Sequence, residues 1–198
     1  MPTSLLVKSF LAFGDMRVPD IRIILHGSPN PLTPEGEMEK QQELDSADYF
    51  ADKKVILFGL PGAFTPTCTN EQLPAFEDLY DKITGDLGID EIYCTAVNDD
   101  FVMEAWARHL EIKKVQMIPD GNGYLADGLG MLVKKTNLGF GNRSWRYAAY
   151  IVDGVVELML EEEGMCHNHD EDPYEQSTPL NVYNRIKEHL GIQDEESE

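Results

Sequence analysis

Apolar and polar side chains alternate through residues 18–25 as far as Ile24, the period of a strand. Residues 26–36 interrupt the pattern with Ser28, Pro29, Asn30, Pro31 and Pro34, a loop composition. Ser46 is placed to cap a short helix ending near Phe50. The run Val55-Ile56-Leu57-Phe58-Gly59-Leu60 is almost wholly apolar and closes on Pro61-Gly62. Such a run reads as a strand covered on both faces. Thr65 and Pro66 then stand as N-cap and first helical residue. Leu73, Phe76, Leu79, Tyr80 and Ile83 recur at helical spacing, with Pro74 expected to kink the helix.

A second buried strand is expected at 92–97, and Asn98-Asp99-Asp100 caps a helix carrying Phe101, Ala105, Trp106 and Leu110. Residues 115–118 form a third short strand before Pro119-Asp120-Gly121, and the Gly-rich stretch 121–140 holds a short helix near 125–129. Asp153-Gly154 between the strand-like runs 147–152 and 155–160 is a hairpin signal. Residues 161–175 read as an acidic loop. Thr178-Pro179 opens a last helix with Leu180, Tyr183, Ile186 and Leu190 on one face and Gly191 as its C-cap. The order predicts an α/β fold, a mixed central sheet flanked by helices. A single domain spans 1–198, with an N-terminal extension over 1–50 and an acidic tail at 192–198.

Composition narrows the function. An apolar share of 42% fits a folded globular chain, and 198 residues fit one domain. Sixteen Lys and Arg face 36 Asp and Glu, a net charge of -20. That excess argues against nucleic acid and anionic membranes as partners and leaves solubility, or steering of a basic partner protein. No stretch approaches the ~20 apolar residues of a membrane span, and residues 1–13 lack the features of a secretory signal. Three cysteines, Cys68, Cys94 and Cys166, are too few for a disulfide framework. A cytoplasmic location is expected, where a functional cysteine is catalytic or redox-active.

Cys68 stands three residues after the Thr65 cap, in the first helical turn and just beyond the end of a central strand. Free N–H groups there favour a thiolate over a thiol. The Thr65 hydroxyl can point at the sulfur, and Pro61 and Pro66 stiffen the loop around it. A thiolate in such a pocket can attack a peroxide oxygen. Backbone N–H groups near Thr67 and Cys68 and a nearby arginine would stabilise the departing oxygen.

The segment Pro61-Gly62-Ala63-Phe64-Thr65-Pro66-Thr67-Cys68-Thr69 resembles the active-site signature of the peroxiredoxins, in the wording of their type-5 branch, called type II in plants. The likeness continues in Ala96-Val97-Asn98-Asp99, Glu104-Ala105-Trp106, Gly141-Asn142-Arg143 and Arg146-Tyr147, and spans roughly residues 50–160. The resemblance implies a thioredoxin-like fold and a thiol peroxidase, with Cys68 as peroxidatic cysteine and Thr65, Pro61 and Arg146 completing the pocket. Gly62, Phe64 and Thr67 would line the substrate site. Arg143 competes with Arg146 and is expected to shape the loop instead. The implied substrates are hydrogen peroxide and small alkyl hydroperoxides, and no cofactor is called for. The implied assembly is a homodimer, to which the helix of Phe101 and Trp106 could contribute; Trp106 as a core residue is the equal alternative.

A second thiol must resolve the sulfenic acid formed at Cys68. Residues 171–175 resemble members served by glutaredoxin, so a one-Cys cycle with glutathione and glutaredoxin is the first reading. Cys166 as an intramolecular resolving cysteine, with thioredoxin as reductant, is the second. Cys94, mid-strand, is expected to be inert. The run Cys166-His167-Asn168-His169-Asp170-Glu171-Asp172 holds metal-ligand types, but no second ligand pair accompanies it, and a solvated, flexible acidic loop is expected with no metal. A thioredoxin-type dithiol exchange is disfavoured, because Thr65 occupies the place of the first cysteine in Cys-x-x-Cys. A redox-sensing module that does not turn over needs the same thiolate and stays open.

Overall fold

The computed structural model describes residues 16–25 and 42–193. The loop expected at 26–36 and the end of the tail, 194–198, lie outside the described residues.

Strands β1 (Arg22–Leu25) and β2 (Gln42–Asp45) pair antiparallel as a separate two-stranded sheet. The alternation through 18–25 thus becomes a strand only over its last four residues, with Ile23 buried. Helix α1 (Ser46–Phe50) follows directly. Its N-cap is Asp45 rather than Ser46, and the Asp48 carboxylate accepts the Asp45 N–H at 2.8 Å. Ser46 instead ties the helix to the preceding chain, its hydroxyl donating to the Pro19 carbonyl at 2.7 Å and accepting the Ile21 N–H.

The main sheet runs β5 (Gln116–Pro119), β4 (Glu91–Ala96), β3 (Lys54–Gly59), β8 (Tyr147–Val152), β9 (Val155–Glu161) in spatial order. The first three are mutually parallel, β8 is antiparallel to β3, and β9 is antiparallel to β8, so the sheet is mixed as expected. The β8–β9 turn is Asp153-Gly154, both at positive φ (47° and 72°), which tightly coiled hairpin turns require and glycine adopts freely.

Period 2 along β3 sorts its side chains into two cores. Ile56 and Phe58 point to one face, with Ile92, Cys94 and Ala96 of β4. Helices α2 (Leu73–Leu87), α3 (Asp100–His109) and α5 (Pro179–His189) cover that face, and Phe58 stacks on Phe76 at 4.0 Å. Val55 and Leu57 point the other way, to a core shared with β1, α1, α4 (Tyr124–Gly128) and Trp145. Burying each large apolar side chain contributes roughly 1.5–3 kcal/mol. Two layers on a doubly covered sheet therefore explain why residues 55–60 carry almost no polar side chain.

Three further expectations about the fold need correction. The stretch 121–140 has more structure than a Gly-rich loop: β6 (Leu132–Lys134) pairs with β7 (Asn142–Ser144), and a 3-10 turn (Thr136–Leu138) links them. In α5 the buried stripe is Pro179, Val182, Tyr183 and Ile186, while Leu180 and Leu190 are exposed. The buried positions are i, i+3, i+4 and i+7 from Pro179, the stripe of an amphipathic helix. The acidic loop 161–175 opens inside β9 and is fastened rather than loose, as the site makes plain.

Candidate active site

The chain leaves β3 at Gly59 and passes Leu60, Pro61 and Gly62, all buried, before the helix. Gly62 has no side chain, and Arg143 uses the space: a Cβ there would stand 2.7 Å from Nη1 of Arg143. Phe64 takes a left-handed backbone, φ 61°, uncommon for a residue with a Cβ. Its ring faces outward, half exposed, 5.7 Å from the His109 ring.

The helical run starts at Pro66, so Thr65 occupies the capping position. Its hydroxyl donates to the Gly62 carbonyl at 2.8 Å, closing the turn, rather than to the Cys68 sulfur. Thr69 N–H to Thr65 C=O, 3.0 Å, is the opening helical bond. The N–H groups of Thr67 and Cys68 therefore lie ahead of the helical ladder, on the positive end of the helix. Thr67 is half-buried at that end.

Pro74 does not simply kink the helix. Residues Cys68–Gln72 form a π-helical turn in which Leu73 N–H reaches the Cys68 carbonyl. Proline has no N–H to give and its ring crowds the carbonyl four residues back. One wide turn absorbs the mismatch, and it is the turn that carries Cys68.

Cys68 is fully buried, and so is Arg146, directly before β8. Arg146 donates through Nη1 to the Cys68 sulfur at 3.4 Å and to Gln72 Oε1 at 2.5 Å, and through Nη2 to the Asp172 carboxylate. Burial works against its charge, but the Cys68 sulfur and Asp172 outweigh it, and the guanidinium is held more firmly protonated than usual. The Tyr174 ring lies 5.5 Å from it, and burial pushes the Tyr174 hydroxyl up to about 12. Nε of Arg146 is buried with no acceptor among the described residues.

Arg143 sits on the other side of the loop. Its Nε donates to the Phe140 carbonyl at 3.1 Å, and Nη1 reaches the Pro61 carbonyl and Asn98 Oδ1 at 3.5 and 3.4 Å. Asn98 Oδ1 also accepts the Ala63 N–H at 3.0 Å. Arg143 and Asn98 thus hold the Pro61–Gly62–Ala63 backbone. On the helix side, Trp106 is buried and its indole N–H donates to Thr69 at 3.1 Å.

The other cysteines stand apart from this arrangement. Cys94 is fully buried in β4, and desolvation holds its thiol well above the ordinary range, with the Cys68 charge adding to the effect. Cys166 is exposed, and all three cysteines are unpaired. The segment after Cys166 is pinned: Lys134 N–H donates to His167 Nδ1, Asn168 N–H to the Lys134 carbonyl, and Thr136 N–H to Asn168 Oδ1. His169 packs on Trp145, and its carbonyl accepts from the buried Lys135 ammonium. These side chains thus serve as caps and packing, and among the described residues no three His, Cys, Asp or Glu gather as a metal site.

Gln72 and Glu162 are not foreseen from the sequence, and Asp172, read there as part of the acidic loop, is not foreseen as a partner of Arg146. Glu162, read as part of an acidic loop, is buried and accepts from Glu175 N–H, Gln176 N–H, Ser177 N–H and the Ser177 hydroxyl at 2.7–3.1 Å.

A mixed sheet flanked by helices, with a cysteine and an arginine buried together at the mouth of its central strand, suits thiol-based redox chemistry. The Redoxin family model matches residues 15–176. The peroxiredoxin y4vD of Sinorhizobium fredii is 49% identical over 178 residues, covering 90% of this chain and 88% of that one. The chloroplastic peroxiredoxin-2E of Arabidopsis thaliana is 45% identical over 117 residues, 58% of this chain and 50% of that one. Among solved structures, a Plasmodium falciparum antioxidant protein, a 1-Cys peroxiredoxin, superposes with a TM-score of 0.79 at 34% identity, covering 87% of this chain and 98% of that one. The chain belongs to the peroxiredoxin family, in the type-5 branch called type II in plants, and has its thioredoxin-like fold. It is a thiol-dependent peroxidase, an oxidoreductase that acts on peroxides with thiol reductants. Among the described residues no helix is long and apolar enough to cross a membrane.

Proposed function

We propose that Cys68 is the peroxidatic cysteine and that the protein runs a one-Cys cycle on hydrogen peroxide and small organic hydroperoxides. The observation that carries this reading is the contact of Arg146 Nη1 with the Cys68 sulfur at 3.4 Å, both groups buried at a helix N-terminus. The thiolate attacks one peroxide oxygen, an S–O bond forms and the O–O bond breaks. Sulfur is oxidised by two electrons, and the departing oxygen takes a proton to leave as water or an alcohol. Arg146 keeps its charge on the reacting atoms, and its buried Nε–H, which has no acceptor among the described residues, is suited to an incoming oxygen. Thr65 and Pro61 hold the loop, and Gly62, Phe64 and Thr67 border the approach.

In this reading glutathione condenses with the sulfenic acid, releasing water and leaving a mixed disulfide. A second thiol, from glutaredoxin or another thiol protein, attacks the glutathione sulfur and releases the Cys68 thiolate. Two features support it over Cys166 as resolver. Cys166 lies in a segment tied down at His167 and Asn168, and the Asp172–Arg146 ion pair adds a closure on the arginine that touches Cys68. The likeness to a 1-Cys peroxiredoxin points the same way. Association as a homodimer belongs to the same proposal, with Phe64 and Phe101 as exposed apolar side chains. Of the two readings of Trp106, core or interface, its full burial favours core.

The test is intact mass and thiol trapping after one equivalent of peroxide on wild type, Cys68→Ser and Cys166→Ser. The expected product is a single oxidised or trapped thiol, absent only in Cys68→Ser. A Cys68–Cys166 disulfide would replace the one-Cys cycle by the intramolecular one with thioredoxin as reductant. Peroxide consumption that stays stoichiometric with every thiol donor would leave a sensing module instead.

A further inference from the structure

The region 172–177 is built as a strap across the outer side of Arg146, and Glu162 is what fastens it. The backbone of Glu162 is tied to the sheet beside Arg146: its N–H donates to the Arg146 carbonyl at 3.1 Å, and its carbonyl accepts the Trp145 indole N–H at 2.8 Å. Its carboxylate is 1% exposed and takes four donors from residues 175–177. A buried charge is retained only where hydrogen bonds replace its water, so this carboxylate fixes three consecutive residues. Ser177, one of them, also accepts from Gln72 Nε2 at 3.4 Å, and Gln72 Oε1 accepts from Arg146. The upstream end of the strap delivers Asp172 to Nη2 and the Tyr174 ring to the guanidinium. The circuit is closed: Glu162 is set by the Arg146 backbone, the strap by Glu162, and the Arg146 side chain by the strap.

A guanidinium has freedom about four side-chain bonds, and one contact to sulfur does not fix its plane. Asp172 takes a donor from Nη2 and Gln72 one from Nη1, while Nη1 also reaches the Cys68 sulfur. Two anchors besides the sulfur thus fix the plane of the guanidinium. We infer that Asp172 is a positioning residue for the peroxide step: it acts through Arg146, holding Nη1 on the Cys68 sulfur, and Glu162 places it there. The inference rests on the reading of Cys68 as peroxidatic.

The test separates the peroxide step from the reductive step in the full chain. The fully reduced protein is mixed with hydrogen peroxide and followed by tryptophan fluorescence; Trp106 touches Thr69 and Trp145 adjoins Arg146. Steady-state turnover uses dithiothreitol as reductant. Asp172→Ala is expected to lower the second-order peroxide rate by about 10- to 10²-fold, leave the dithiothreitol step within about twofold, and leave the melting temperature within a few degrees. Glu171→Ala removes the same charge from the adjacent exposed position and is expected to change neither step. Equal peroxide rates for Asp172→Ala and Glu171→Ala overturn the inference. So does a matching slowing of the dithiothreitol step, which marks general loosening. Glu162→Gln exchanges a two-oxygen acceptor for one and is expected to slow the peroxide step in the same direction while lowering the melting temperature. A lower melting temperature with an intact peroxide rate removes Glu162 from the circuit. Cys68→Ser run alongside distinguishes the two levels: if it reacts like wild type, the peroxidatic reading fails and the inference with it, whereas an inert Cys68→Ser beside an unaffected Asp172→Ala fails the inference alone.

Discussion

Cys68 and Cys94 belong to one buried cluster, and neither exposes any surface. The difference lies in what surrounds each sulfur. Cys94 sits mid-strand, its backbone paired with Phe58 on one side and Met117 on the other, so no amide is left to turn toward a charge. Its neighbours are apolar, and burial holds it as a thiol well above the ordinary range. Cys68 sits ahead of a helical ladder, with a buried guanidinium at 3.4 Å. Burial with nothing added makes a thiol inert. Burial with oriented positive charge makes a pocket in which each donor acts at low dielectric.

The largest way to break this contrast is to exchange the sulfurs for oxygen. Cys68→Ser is expected to abolish peroxide turnover, a fall on the order of 10³-fold or more, measured with any thiol donor. Cys94→Ser should leave the rate within about twofold. Equal losses would place the chemistry at the wrong sulfur.

Next comes the charge that distinguishes the two sites. Arg146→Gln is expected to slow the peroxide step by about 10²- to 10³-fold, the range for removing a preorganised donor. Arg143→Gln acts on the loop through the Pro61 carbonyl and Phe140 carbonyl, and about tenfold is expected. Rapid-mixing rates with hydrogen peroxide decide the order. A larger effect at Arg143 would reassign the contact to the sulfur.

Much of this contrast was legible in the chain. The apolar run 55–60 predicts a strand with two cores, and Thr65-Pro66 predicts the helix start that puts Cys68 at its N-terminus. Both are local signals, set by periodicity and capping. The supports of Arg146 were not legible. Gln72, Glu162 and Asp172 reach it or its strap across 74, 16 and 26 positions, and nothing in a polar residue's own neighbourhood tells a solvated carboxylate from a buried one. An available hint was Glu162 lying directly past a strand-like run and ahead of Ser177 and the α5 cap. The same blindness to tertiary contact put Leu180 and Leu190 on the buried face of α5, and left the polar strand β2 unread.

The smallest effect tests the inert side of the contrast by stability instead of rate. Cys94→Ala removes one buried sulfur and is expected to cost about 1–2 kcal/mol at pH 7, read from denaturant midpoints. The wild-type cost of keeping that thiol protonated appears only in alkali. In the unfolded chain the thiol ionises near the ordinary value of 9.0, while in the native chain burial keeps it protonated well above that. The unfolded state then binds fewer protons than the native one, so stability falls as pH rises past 9.0, by about 1.4 kcal/mol per unit. Cys94→Ala lacks this term. The gap between variant and wild type should therefore narrow by about 1 kcal/mol between pH 7 and a pH just below 10, where tyrosines begin to add their own slopes to both proteins equally. A gap constant across that range would mean that Cys94 ionises as readily folded as unfolded, and the two cysteines would no longer differ in the way their surroundings imply.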